Sequence, residues 1–135
     1  MKTLLLVLSL LSVHAVYAQT ASVTNANISS NRLSGNFIIN IKNGNAIDHV
    51  NINYLLLPNP VSDLLSVELS TANSIYLRAR VVNNTGKILA SWEPENISYV
   101  YHFQLNMTGI YAGKYRLEIL NKNNVLLHSV PFNKQ

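Results

Sequence analysis

The sequence predicts an all-β protein, an immunoglobulin-like antiparallel β-sandwich of about seven strands preceded by a signal peptide and a short N-terminal segment or hairpin. Three observations carry this. Apolar and polar residues alternate in one short run after another, which is the period of a strand with one buried face. Clusters of Asn, Gly, Pro and Ser separate the runs and supply turn chemistry. No stretch keeps a helical apolar period over three turns.

The first residues have the layout of a secretory leader. Met1-Lys2-Thr3 is a short basic start, Leu4 to Val13 is nearly all apolar, and Val16-Tyr17-Ala18 supplies the cleavage positions, with Gln19 as the new N-terminus. The apolar run is too short to cross a bilayer, which needs ~20 residues. No later run is long enough either, so the mature chain is expected to have no transmembrane span. The expected organisation is a signal peptide at 1–18, a short linker or β-hairpin at 19–53, and a C-terminal β-domain at 54–135.

Residues 20–36 are rich in Ser, Asn, Thr and Ala and read as a flexible approach segment. Phe37-Ile38-Ile39-Asn40-Ile41 is a β-rich run, and Asn43-Gly44-Asn45 is a turn signal. Val50, Ile52, Tyr54 and Leu56 then alternate with mostly polar neighbours. A hairpin of strands 36–42 and 49–57 follows from this pattern. Next comes Leu57-Pro58-Asn59-Pro60-Val61-Ser62-Asp63. Its two prolines fix φ and remove two donors, so the segment can neither continue a helix nor sit inside a sheet. It reads as a stiff corner that delivers the chain into a strand at 64–70, where Leu65, Val67 and Leu69 share one face.

A strand at 74–83 places Ile75, Leu77, Ala79 and Val81 on one face and Tyr76, Arg78 and Arg80 on the other. Asn83-Asn84-Thr85-Gly86-Lys87 is a hairpin turn, and the return strand puts Ile88, Ala90 and Trp92 on one face before Glu93-Pro94-Glu95-Asn96 ends it. Tyr99, Tyr101, Phe103 and Leu105 alternate with Val100, His102 and Gln104. Asn106 to Ala112 is a short crossing. From Gly113, Tyr115, Leu117 and Ile119 face inward, with Lys114, Arg116 and Glu118 toward water. Asn121-Lys122-Asn123-Asn124 turns the chain into a last strand, Val125 to Phe132. There Leu126, Leu127, Val130 and Phe132 do not fit one parity.

Composition excludes several kinds of chemistry. There is no cysteine, so thiolate catalysis, cysteine zinc sites and thiol redox work are out, and an exported domain must be held by its core alone. The formal charge of +4 falls to +3 when the leader takes Lys2. No run of Lys and Arg grips phosphates. Only Arg78 and Arg80 lie close together, and they mark the wet face of a strand, so no nucleic-acid partner is expected. His49, His102 and His128 are far apart in sequence, Asp48 and His49 point to opposite sides of a strand, and no HExxH, GxSxG or phosphate loop occurs. The six acids are too scattered for a calcium cage. No catalytic residue, metal ligand or cofactor is assigned, and the chain is not expected to be an enzyme. Trp92, Tyr99 and Tyr101 form either a sugar-stacking platform or, more simply, a packed aromatic cluster. Sequons stand at Asn27, Asn83, Asn96 and Asn106.

Four stretches, in order, resemble the type A C-terminal sorting domain of the bacterial type IX secretion system. Pro58-Asn59-Pro60-Val61-Ser62-Asp63-Leu64-Leu65 is similar to the opening Pro-Asn-Pro motif and first strand. Thr85-Gly86-Lys87-Ile88-Leu89 is similar to the central Gly-Lys turn. Leu105-Asn106-Met107-Thr108, with Ala112-Gly113-Lys114-Tyr115-Arg116-Leu117, resembles the late Gly-x-Tyr strand, and Val130-Pro131-Phe132-Asn133-Lys134 resembles the basic, apolar final strand. The resemblance covers residues 54–134. It implies a non-catalytic domain that leaves the cytoplasm by the general route. An outer-membrane translocon then reads it, and a sortase-like peptidase processes it on the way to the cell surface or medium. It implies a recognition surface of Pro58, Asn59, Pro60, Asp63, Gly86, Lys87, Gly113, Tyr115 and Lys134, residues that also serve the turns and core. In this Asn-rich chain the resemblance makes the sequons chance matches rather than glycan sites. The alternative is a stand-alone secreted β-sandwich that binds a cell-surface glycan or protein.

Overall fold

The computed structural model describes residues 27–29, 31–92 and 96–135; the leader at 1–18 with its cleavage site, the approach segment as far as residue 26, and Glu93-Pro94-Glu95 lie outside the described residues. The described residues form nine strands and no helix. These are β1 (Asn27–Ser29), β2 (Arg32–Asn43), β3 (Ala46–Leu57), β4 (Leu64–Ile75), β5 (Arg78–Val82), β6 (Ile88–Trp92), β7 (Ile97–Asn106), β8 (Gly113–Leu120) and β9 (Leu126–Lys134). They make two antiparallel sheets, one in the order β1-β2-β3-β4-β7 and the other β6-β5-β8-β9. A single apolar core draws Phe37, Ile52, Leu56, Leu65 and Leu69 from the first sheet and Val81, Leu117, Ile119 and Leu127 from the second.

Two strands more than expected appear, largely because the N-terminal half is not an appendage. The hairpin forms around Gly44, whose φ of 62° is the left-handed region that glycine enters freely. It runs in register from Asn43↔Ala46 to Leu33↔Leu56. β3 in turn pairs with β4 from Ile52↔Thr71 to Leu57↔Ser66, so residues 53 and 54 sit mid-strand with partners on both sides. Arg32 to Asn36, expected as flexible approach, belongs to β2. Leu33 is buried there, and the ring of Tyr54 lies across Gly35 so closely that a Cβ would stand 2.5 Å from its hydroxyl. Ser34, Gly35 and Asn36 carry little strand propensity of their own; pairing and burial overrule it.

Irregular register accounts for the other differences. β4 continues to Ile75 rather than ending near Thr71, and its pairing with β7 slips between Thr71↔Tyr99 and Ile75↔Ile97. Ile75 and Leu77 are therefore not on one strand. In the last strand, Ile119 pairs with His128 and Leu120 with Leu126, which leaves Leu127 as an extra, unpaired residue. Such a bulge changes parity, so Leu127, Val130 and Phe132 all reach the core while Leu126 stays out. A second bulge, between Val81↔Ala90 and Val82↔Ile88, turns Ile88 away from Ala90 and Trp92. Ile88 is half exposed instead of sharing their inner face.

Glu118 corrects the expectation that it faces water. It stands on the outer face of the second sheet yet is only 8% exposed. Arg80, directly opposite on β5, donates from Nε to its Oε2 at 2.8 Å, and Arg116 Nη2 lies 3.6 Å from its Oε1. Two guanidinium groups close over one carboxylate and give it charge-assisted partners in a place water hardly reaches.

If the hairpin is part of the core, truncating its fully buried Ile52 must cost what core truncations cost. Ile52→Ala is expected to lower the unfolding free energy by about 2–5 kcal/mol in a urea titration, with one cooperative transition for the whole chain. An appendage would instead melt separately and leave the main transition in place.

Candidate functional site

Among the described residues, the proline segment bonds through its backbone both to the segment leading into β2 of the first sheet and to β9 of the second. The Leu57-Pro58 and Asn59-Pro60 peptide bonds are both cis. Proline has no N–H to donate, so the ladder stops here and the flanking residues bond elsewhere. The Asn59 N–H donates to the Asn31 carbonyl at 3.1 Å, just ahead of β2. The Val61 N–H donates to the Asn133 carbonyl at 2.8 Å, and the Gln135 N–H donates to the Val61 carbonyl at 2.8 Å. This is a short parallel bridge onto the end of β9. The side chain adds to it: the Asn133 N–H donates to Asn59 Oδ1 at 3.1 Å. Val61 itself is completely buried. Asp63 contributes its carbonyl, which accepts from the Met107 N–H at 2.7 Å, while its side chain stays exposed.

Gly113 and Tyr115 lie beside that clasp. Gly113 pairs with Lys134 and Tyr115 with Phe132. The Tyr115 ring packs against Phe132, with centroids 6.1 Å apart, and its hydroxyl donates to the Tyr111 carbonyl at 2.7 Å. Tyr115 thus pins the loop from β7 to β8 against the strand it leads into. The Gly86-Lys87 turn is built by Asn83. Its Oδ1 accepts from the Thr85 N–H at 3.0 Å, the Thr85 hydroxyl at 2.7 Å and the Lys87 N–H at 2.9 Å, and Gly86 takes a φ of 82°. Asn106 repeats the device, accepting from the Thr108 N–H at 2.9 Å ahead of Gly109. At Asn83 and Asn106, Asn-x-Thr is turn chemistry.

Strand direction decides which of these residues meet. β5 ends, β8 begins and β9 ends at one end of the second sheet, as Val82↔Arg116 and Arg116↔Pro131 show. β3 ends, β4 begins and β7 ends at the same end of the first sheet. Pro58, Asn59, Pro60, Asp63, Gly113, Tyr115 and Lys134 gather there. Gly86 and Lys87 share that end but lie about three strand spacings from the corner, roughly 15 Å. The sequence reading missed Asn133, Tyr111 and Asn31, which hold the arrangement through main-chain groups. Only Asn133 had a sequence signal, its place inside the terminal motif.

A shallow cleft of ≈ 560 Å³ opens beside the clasp, lined by Leu33, Tyr54, Asn59, Lys114, His128 and the β9 segment that follows it. His128 is stacked on Phe37 with centroids 4.5 Å apart and tilted against Tyr54 at 5.4 Å. Burial pushes the His128 pKa below its ordinary value and the Tyr54 pKa above its own. Neither is paired with a carboxylate that would make it a proton relay. Asp48 and His49 do not pair with each other. Asp48 accepts from Asn43 Nδ2 at 2.6 Å, and His49 Nδ1 lies 2.7 Å from Asn40 Oδ1. Among the described residues no three His, Cys, Asp or Glu side chains are grouped so as to hold a metal ion. Trp92 is stacked on Phe103 at 3.8 Å with Tyr101 tilted against it at 5.1 Å, which leaves Tyr99 outside the cluster and takes up one face of the indole.

The family model for the secretion system C-terminal sorting domain matches residues 55–130. The chain belongs to the type IX secretion C-terminal sorting domain family. The sorting-domain match starts inside β3 and takes in the corner, the Gly86-Lys87 turn and the Gly113–Tyr115 segment; it stops short of Asn133 and Lys134, the β9 residues that close the clasp. No curated protein and no solved structure is detectably similar to the chain. A sorting domain directs export to the cell surface or the extracellular space, and its family is one of signals rather than catalysts.

Two measurements check this geometry. Tyr115→Phe removes only the bond to the Tyr111 carbonyl and is expected to cost about 0.5–1.5 kcal/mol, with faster amide exchange confined to residues 107–115. His128 enters the folded state with a lowered pKa, so the unfolded chain binds its proton more readily. Its contribution to stability is complete above the ordinary histidine value of about 6.5 and is lost as pH falls from there through the folded-state value. Unfolding titrations below pH 6.5 should show that slope in the natural protein and a shallower one in His128→Phe.

Proposed function

We propose that this chain is a non-catalytic secretion signal, read by the outer-membrane translocon of the type IX system and handed to its sortase-like peptidase after passage through the periplasm. The single observation that carries this reading is the sorting-domain match over residues 55–130, whose motif residues converge on one end of the molecule. Shape rather than reactivity is what such an end offers. The corner, the Gly113–Tyr115 segment and the final strand with Lys134 form one rigid surface, with the Gly86-Lys87 turn at its margin. The sorting unit is the region from residue 54 onward, completed by the hairpin that shares its core, and a leader at 1–18 delivers it to the periplasm.

The immunoglobulin-like reading of the fold has support of its own. Two antiparallel sheets share one core, and Tyr115 near the start of β8 bonds back to the carbonyl four residues upstream, as the tyrosine corner of such sandwiches does.

Expressing the tagged full chain in a bacterium that carries the system, and in a strain without its translocon, tests the proposal. The protein should reach the surface or medium in the first and accumulate in the periplasm in the second. The same partition in both strains would sink the reading. Intact mass of the exported form then separates a processed signal from a stand-alone binding module, which would keep its C-terminus.

A further inference from the structure

Charge is divided unequally between the two sheets. Among the described residues, Arg78 and Arg80 stand on β5, and Lys114 and Arg116 on β8. The turns of the same sheet add Lys87 and Lys122, and Lys134 closes β9. Glu118 is the one carboxylate among these strands and turns. The first sheet and the proline corner carry Arg32 and Lys42 against Asp48, Asp63 and Glu68. Among the described residues the second sheet and its turns therefore carry the cationic excess. Glu93 and Glu95, in the connection from β6 to β7, lie outside the described residues.

Four of the cationic groups share a face because of register. Ala79, Val81, Leu117 and Ile119 point into the core, so Arg78, Arg80, Lys114 and Arg116 point out of the opposite side of the second sheet. No stretch of sequence shows this patch, since β5 and β8 meet only by pairing. The guanidinium groups are also held. Arg80 and Arg116 converge on Glu118, and Arg78 Nη1 donates to Asn124 Oδ1 at 2.5 Å. One carboxylate cannot neutralise two guanidinium groups, so the pair keeps a net positive charge in a fixed geometry. Between and beside them, Ile88 is 50% exposed and Leu126 47%.

We propose that the outer face of the second sheet docks an acidic protein surface. Fixed arginines beside exposed aliphatic side chains are the composition of a protein interface, and a pre-organised guanidinium pairs a carboxylate with little further loss of freedom. A flat patch of this kind also steers an oppositely charged partner before contact, which makes the association salt-dependent. Resting on the sorting reading, the acidic surface belongs to the export machinery; the charge map itself stands without that reading.

Poly-L-glutamate serves as a probe of carboxylate docking, titrated into the isotope-labelled mature chain and followed by NMR. Amide shifts should be confined to β5, β8 and their turns, and the affinity should fall about tenfold or more between about 50 and about 500 mM salt. The double variant Lys87→Glu/Lys114→Glu should bind about tenfold more weakly, whereas Arg32→Glu/Lys42→Glu, with the same change in net charge on the other sheet, should bind as the natural protein does. Thermal melts of both variants establish that they fold. Shifts spread over both sheets, or equal weakening in the two variants, would overturn the proposal. So would sedimentation with phosphatidylglycerol vesicles in preference to poly-glutamate, which would give the face to a membrane. If the natural chain proves independent of the secretion system while the probe still binds at this face, the sorting reading falls and the docking face remains.

Discussion

Everything at the motif-bearing end depends on Val61 being held on both sides by the last strand. The Val61 N–H reaches the Asn133 carbonyl, the Gln135 N–H reaches the Val61 carbonyl, and the Asn133 N–H reaches Asn59. Each such bond is worth only about 0.5–1.5 kcal/mol net. Their effect is greater than their sum because of where they sit. The corner is covalently continuous with β3 and β4 of the first sheet, while β9 is an edge strand of the second. The clasp therefore ties the two sheets together at one end, where the core alone would hold them only by apolar contact. The prolines on either side of Asn59 make this possible, because a residue without an N–H cannot be drawn back into the ladder of the first sheet.

A chain with no cysteine has to obtain its rigidity from packing and from turns. The core supplies the first, with Ile52, Leu56, Leu65, Leu69, Leu77, Leu117 and Ile119 all fully buried. Asparagine supplies the second. Asn83, Asn106 and Asn121 each accept main-chain N–H donors from residues just ahead, so three turns are closed by side-chain oxygens rather than by crosslinks. A composition that looks unsuited to sheets is in this way well suited to the connections between them. The asparagines that do fall in β3, Asn51 and Asn53, lie on its exposed face, where a weak strand former costs little.

The hairpin gives the domain match a structural context. The match begins at residue 55, yet Phe37, Ile39, Val50 and Ile52 lie in the same core as the matched strands. Phe37 and Tyr54 also form the wall on which His128 of β9 stacks. Residues upstream of the match thus support the very strand that closes the clasp, and the motif-bearing end is a property of the whole two-sheet unit.

Much of this was legible in the amino-acid order. Strict alternation in Leu65-Val67-Leu69 and in Tyr115-Leu117-Ile119, the Asn-Gly turn at 43–45 and the proline corner each declare themselves within a few residues, because strand period and turn chemistry are local. The four ordered motifs, read together, pointed to the family. Pairing between distant segments was not legible. Parity in the last strand needed the Leu127 bulge, the strand through Ser34-Gly35-Asn36 needed Tyr54 across it, and the burial of Glu118 needed Arg80 from a strand 38 residues away. The cationic face likewise exists only because β5 and β8 are neighbours. Local preference sets what each segment can become, but register is chosen by the core as a whole, and only a closed core decides which side chains end up side by side.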